Sequence, residues 1–248
     1  MTNKVQVIET HPITRCRYCL IGVPDVGLVG TIALSYLIHS LQLDEVGYLE
    51  SDALPPMIVI HNSDPKPLIR LYQRDDVILI ASEIPIEQNL LTPLAQAMVF
   101  WAHAKQVDLL VTLSGIAVQN RLDLEKPQVY GIGTSPTEKT TLQQLGIPLL
   151  QEGFIAGLHA VITKEAIRQR IPALMLLAQA HLQYPDPEAA AYLINTVNQL
   201  LNWNIDTAEL LTQGEEYRLK MRALMQRTQQ EMQRIPKDRE QEIPPMYV

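Results

Sequence analysis

Short apolar runs alternate along most of the chain with longer stretches whose apolar residues recur every three or four positions. Residues 18–23 form one such run. It meets the punctuation Gly22-Val23-Pro24-Asp25-Val26-Gly27. Beyond it, Leu28, Ile32, Ser35 and Ile38, flanked by Leu34, Leu37 and Leu41, have the spacing of a mostly buried helix over about residues 28–41. Four β-like runs follow, around 46–49, 57–60, 68–72 and 77–81. Asp52, Pro55-Pro56, residues 62–67 and Asp75-Asp76 separate them. No connection there is long enough for a crossover helix, so antiparallel or mixed pairing is expected. Then alternation begins: helix over about 88–105, strands at 108–113 and 128–132, and a short helix at 137–145 stopped by Gly146. A helix at 155–169, a strand at 173–178 and a helix at 187–201 complete the series. Apolar strands alternating with helices predict an α/β sandwich, its mixed sheet covered on both faces.

The pattern changes near residue 206. Residues 206–234 are polar and rich in Glu, Gln, Arg and Leu, while Leu210, Gly214, Tyr217, Met221, Leu224 and Thr228 alternate by four and three. That is the spacing of a coiled-coil seam, weakened by Gly214 and Thr228. It equally fits an amphipathic helix lying on its own domain. Residues 235–248 carry prolines and charges and read as an extended tail, reaching roughly 40 Å at about 3.3 Å per residue. The chain therefore divides into an α/β domain (1–205), a helical extension (206–234) and a flexible C-terminal tail (235–248).

Composition narrows the function. Of 248 residues, 47% are hydrophobic and only 5% aromatic, so aliphatic side chains build the core. A formal charge of -7 repels phosphate backbones and anionic lipid, so neither nucleic acid nor membrane is an expected partner. The basic residues Arg218, Lys220, Arg222 and Arg227 are interrupted by Glu215, Glu216 and Glu231, as on a solvated helix face. Residues 1–14 lack an apolar signal region, and no apolar run is long enough to span a bilayer, which points to the cytoplasm.

Several motifs invite a chemical reading. The turn from Gly22 to Gly30 could cradle a phosphate. It matches neither the dinucleotide fingerprint nor the P-loop, because Leu28 and Val29 stand where the P-loop needs Lys and Ser or Thr. A tight turn with close helix packing is the simpler reading. Ser114 could be a strand-end nucleophile, but Thr112 and Ile116 occupy the elbow's glycine positions. Asn120 and Arg121 could fix an anion or a neighbouring carboxylate. Glu83, in Ser82-Glu83-Ile84-Pro85, sits where open α/β sheets place ligands, yet a lone Glu there is commonly a cap or an ion-pair partner. Cys16 and Cys19 lack the second pair that a structural zinc site needs, and the six histidines show no metal-ligand spacing. No catalytic residue, cofactor or metal is expected. The chain's last residues, Met246, Tyr247 and Val248, put an aromatic and a free carboxylate at the end of a charged tail, where the ring buries nothing in its own domain.

Taken in order, Gly-Val-Pro-Asp-Val-Gly-Leu-Val-Gly-Thr (22–31), Leu-Pro-Pro (54–56), Ser-Glu-Ile-Pro (82–85), Gly-Ile-Ala-Val-Gln-Asn-Arg (115–121) and Val-Tyr-Gly-Ile-Gly-Thr (129–134) resemble archaeal members of the proteasome assembly chaperone family, the branch similar to the second eukaryotic chaperone. The resemblance spans roughly residues 10–233. It implies a three-layer α/β/α sandwich similar to nucleoside phosphorylases and related hydrolases, homo-oligomers, and a non-catalytic role with the 20S proteasome. It also implies that a C-terminal hydrophobic–tyrosine–any-residue motif inserts between α-subunits of the proteasome ring, and Met246, Tyr247 and Val248 match that motif position by position.

Overall fold

Strands buried on both faces need cover on both sides, and the central strand shows why this chain folds in three layers. In β2 (Tyr18–Gly22), Cys19, Leu20 and Ile21 are all fully buried. Leu20 points into one apolar core, Cys19 and Ile21 into another. The computed structural model describes residues 4–13, 15–234 and 237. Around β2, in chain order, run β1 (Gln6–Glu9), α1 (Val29–Ser40), β3 (Asp44–Glu50), the small hairpin β4 (Val59–His61) and β5 (Asp64–Lys66), β6 (Ile69–Arg74) and β7 (Val77–Ser82). Then come α2 (Leu91–Ala104), β8 (Leu109–Ala117), β9 (Val129–Gly133), α3 (Pro136–Gln144), α4 (Leu158–Gln169), β10 (Ala173–Ala180), α5 (Pro187–Leu201), α6 (Ala208–Thr212) and α7 (Gly214–Met232).

One eight-stranded sheet has the order β1-β3-β6-β7-β2-β8-β10-β9. Its centre is parallel, β7 with β2, β2 with β8 and β8 with β10. Its flanks are antiparallel, β1-β3-β6-β7 on one side and β9 against β10 on the other. The mixed three-layer sandwich expected from the sequence is the observed fold. One core lies under α1, α3, α5, α6 and α7, the other under α2 and α4. Caps mark helix starts: Ser135 and Asp186 each accept a backbone N–H with Pro in the first turn behind them.

The turn from Gly22 to Gly30 packs α1 directly on the sheet. A Cβ on Gly30 would lie 2.0 Å from the Leu113 carbonyl oxygen, and one on Gly22 2.7 Å from the Gly30 carbonyl. Backbone therefore sits on backbone, and only glycine fits.

Two strands escape the hydrophobic pattern. β1 is an edge strand with exposed ends, pinned by Glu9, which accepts from Trp101 (2.9 Å) and Lys105 (2.8 Å) of the α2 region. β5 is the three residues Asp64–Lys66, with Pro65 in the middle. The seam of residues 206–234 also resolves. Leu210, Met225 and Met232 join the first core, Thr228 is buried, and Tyr217, Met221 and Leu224 pack half-buried beside them. Of the two readings of that seam, the structure shows a helix lying on its own domain. Glu215–Arg218, Glu216–Lys220 and Glu231–Arg234 pairs line its solvated face.

Candidate functional site

Ligands of open α/β sheets bind beyond the carboxyl ends of the parallel strands. In this chain that region holds three polar clusters.

The first is built on the turn after β2. Leu28 N–H donates to the Asp25 carbonyl at 2.9 Å, while Gly27 (φ 60°) and Leu28 (φ 51°) both take left-handed backbone. For Leu28 this costs about 1–2 kcal/mol, which complete burial of its side chain offsets. The turn holds the buried Asp25 carboxylate over the end of β8. Its Oδ2 accepts from Ser114 Oγ at 3.1 Å and from Lys237 Nζ at 2.7 Å, and His159 Nε2 of α4 lies 3.7 Å away. All four side chains are buried. Burial pushes His159 down to about 4; Asp25 opposes that shift and Lys237 adds to it, so the ring is neutral at pH 7. Neither ring nitrogen has a hydrogen-bond partner among the described residues.

This arrangement does not activate Ser114. Its hydroxyl faces a carboxylate already bound to an ammonium, and no imidazole accepts its proton. Beside Lys237, only about 20 Å³ of cavity remains between Val23, Pro85, Leu158 and Met232. The crevice is filled by the chain itself.

The second cluster joins the loop after β8 to the start of α5. Arg121 grips Asp186 with two bonds, Nε to Oδ2 at 2.7 Å and Nη2 to Oδ1 at 3.0 Å, and Nη2 also donates to Glu188 at 2.8 Å. Asp186 in turn accepts from the N–H groups of Ala189 and His181, and its own N–H donates to the Gly27 carbonyl at 2.8 Å. Arg121 therefore fixes a neighbouring carboxylate, one of the roles its sequence position allows. Asn120 is exposed beside it.

The third cluster holds Glu83, just past β7. It accepts from Arg70 and pairs with His61 (2.9 Å), and Arg70 and Lys66 both reach Glu45. Glu83 is thus an ion-pair partner. These groups edge an open groove between α1, β6 and α7, lined also by Thr31, His39 and Met221.

The thiols are structural. Cys16 and Cys19 are buried and reduced. Burial raises Cys16 to about 11 and pushes Cys19 up as well, so neither is a ready thiolate. Among the described residues no group of three or more His, Cys, Asp or Glu is arranged to hold a metal, and no helix is long and apolar enough to cross a membrane. The structure thus brings Ser114 to Asp25, and separates both from Glu83 and Arg121. Sequence reasoning missed His159 and Lys237, which carried no local signal, and Asp186, whose Asp-Pro pair at a helix start was readable as a cap. Met246, Tyr247 and Val248 lie outside the described residues.

A three-layer α/β sandwich with a mixed eight-stranded sheet, whose strand-end polar groups are tied up in ion pairs, is the class that fold and site define. Within that class the chain belongs to the PAC2 family, whose model matches residues 19–225. The resemblance read from the ordered motifs is borne out. An uncharacterized protein of Methanocaldococcus jannaschii is 28% identical over 225 residues, covering 91% of this chain and 90% of that one. Pyrococcus furiosus PbaA, an archaeal homolog of proteasome-assembly chaperone, superposes with a TM-score of 0.85 at 27% identity over 91% of this chain and 98% of its own. Pyrococcus furiosus PbaB, an archaeal proteasome activator, shares the fold with a TM-score of 0.74 at 19% identity, over 90% and 99%.

Proposed function

We propose that this chain is a non-catalytic assembly chaperone or ATP-independent activator of the proteasome, a homo-oligomer that docks on the α-ring of the 20S particle through Met246, Tyr247 and Val248. The observation that carries this reading is the similarity to PbaA across nearly the whole of both chains. The C-terminal residues add to it, being a hydrophobic residue, a tyrosine and a free carboxylate at the end of a polar segment. A terminal carboxylate can pair with a pocket lysine while the Tyr ring and hydroxyl anchor beside it. Three residues bind weakly alone, and several tails on one oligomer raise avidity by about 10²–10⁴-fold when the linkers span the pockets.

Surface plasmon resonance on immobilised 20S particles tests the reading. Tyr247→Ala removes the anchor, and one residue added after Val248 displaces the carboxylate. Both variants are expected to lose binding while keeping the parent's oligomeric state by light scattering. Binding equal to the parent's by both would move the docking surface onto the α/β domain.

A further inference from the structure

The Asp25 cluster has the form of a site rather than of a buried ion pair that formed with its surroundings. Three of its parts belong to the α/β domain and are set without Lys237. The left-handed turn at Gly27 and Leu28 aims Asp25, β8 supplies Ser114, and α4 supplies His159. The cation arrives from 212 residues away in sequence. Room for it is also built in. Gly157 stands at φ 85°, and a Cβ there would lie 3.3 Å from Lys237 Cε and 3.5 Å from Nζ. A side chain at 157 would thus be strained by its backbone and would press on the Lys237 Cε methylene. Finally, His159 is 1% exposed with both ring nitrogens unpartnered beside the pair. A buried polar ring in that state calls for an explanation, and Asp25 Oδ2 lies 3.7 Å from it.

We propose that Asp25, Ser114 and His159 form a receptor site for a primary ammonium, filled in this chain by Lys237, whose side chain moors the C-terminal segment to the α/β domain. The ligand class follows from the chemistry. The carboxylate, already bonded to a hydroxyl, accepts one further charged donor; Gly157 lies against the alkyl stem of Lys237; and only about 20 Å³ remains beside Lys237 and Asp25. An alkylammonium fits, whereas a guanidinium or a quaternary ammonium is too wide. The site stands independently of proteasome docking.

Amine acylation followed by mass spectrometry on the isolated full chain tests the mooring. Lys237 is expected to react at least tenfold more slowly than the exposed Lys126 and Lys164, and Asp25→Asn is expected to abolish most of that protection. The ligand class is tested on Lys237→Ala, which empties the hole without touching its walls. Millimolar propylammonium is expected to raise the melting temperature of this variant and not that of the parent, with tetramethylammonium inert on both. Acylation of Lys237 in the parent at the rate of Lys164 would overturn the mooring. A Lys237→Ala response that is absent, or equal for the two amines, would overturn the receptor site. Should Asp25→Asn not fold, the parent's acylation rate and the Lys237→Ala response decide the matter.

Discussion

Arg121 and Asp25 lie beyond the same end of the same sheet, both buried and both ion-paired, and their surroundings differ in a way that separates scaffold from site. Every oxygen of Asp186 that faces Arg121 has a geometric partner, and the partners come from neighbouring elements: the loop after β8, the start of α5 and the turn at Gly27. Charge, bidentate geometry and helix cap agree, as in a structural weld. Around Asp25 the match is incomplete. One carboxylate oxygen serves both a hydroxyl and an ammonium, and a neutral His sits beside it unpartnered. A fully satisfied network rigidifies a fold, whereas a partly satisfied one leaves a buried polar group at a cost.

The sharpest way to test that contrast is to break the weld. Asp186→Ala removes two of the bonds that hold the buried Arg121, leaving it Glu188, and removes the cap of α5. Urea unfolding is expected to show a loss of about 3 kcal/mol, the low end for a broken buried pair because Glu188 still meets Arg121, with about 1 kcal/mol more from the lost cap. A loss under about 1 kcal/mol would place Asp186 with ordinary surface pairs.

Acid probes the other cluster. His159 has an ordinary value of 6.5 and a folded value of about 4, so the unfolded chain binds the proton first as pH falls. Stability from this residue is complete above pH 6.5 and is lost as pH drops toward 4, by up to about 3 kcal/mol. His159→Gln is expected to flatten that part of the pH–stability curve. Lys237→Met is a smaller perturbation at pH 7, about 1–3 kcal/mol, because Asp25 keeps its bond to Ser114. It also removes a positive neighbour that pushes His159 down, so the acid-sensitive window should move upward in pH. Titrating the histidine by NMR in both chains checks the direction. Tyr247→Ala should have the least effect on the fold, within about 0.5 kcal/mol, while abolishing proteasome binding if the proposed docking holds.

Much of the fold was legible because burial imposes period. Leu28, Ile32 and their neighbours announced α1, and the run ending at Ile21 announced a strand covered on both sides. β1 was not legible, since only Val7 and Ile8 are partly buried and its ends are exposed. The seam at Leu210, Tyr217 and Leu224 was readable as an apolar stripe, but its target was not. A stripe records that something covers it, and only the fold shows that this domain does. The same limit hid the Asp25 cluster. Asp25 stands inside the motif at residues 22–31 and Ser114 in a buried strand, yet no spacing rule links either to His159 or Lys237. Arg121 was readable as a carboxylate partner, without the identity of Asp186.

The 212 residues between Asp25 and Lys237 also have a meaning in time. A ribosome adding about 5–20 residues per second needs roughly 10–40 s to make the second after the first. Throughout that interval the turn at Asp25 can form against β8, while its counterion does not yet exist. A chain cut short before residue 237 keeps the Asp25 carboxylate with Ser114 and without that ammonium. Lys237 is thus a late-made residue that meets an early-made turn.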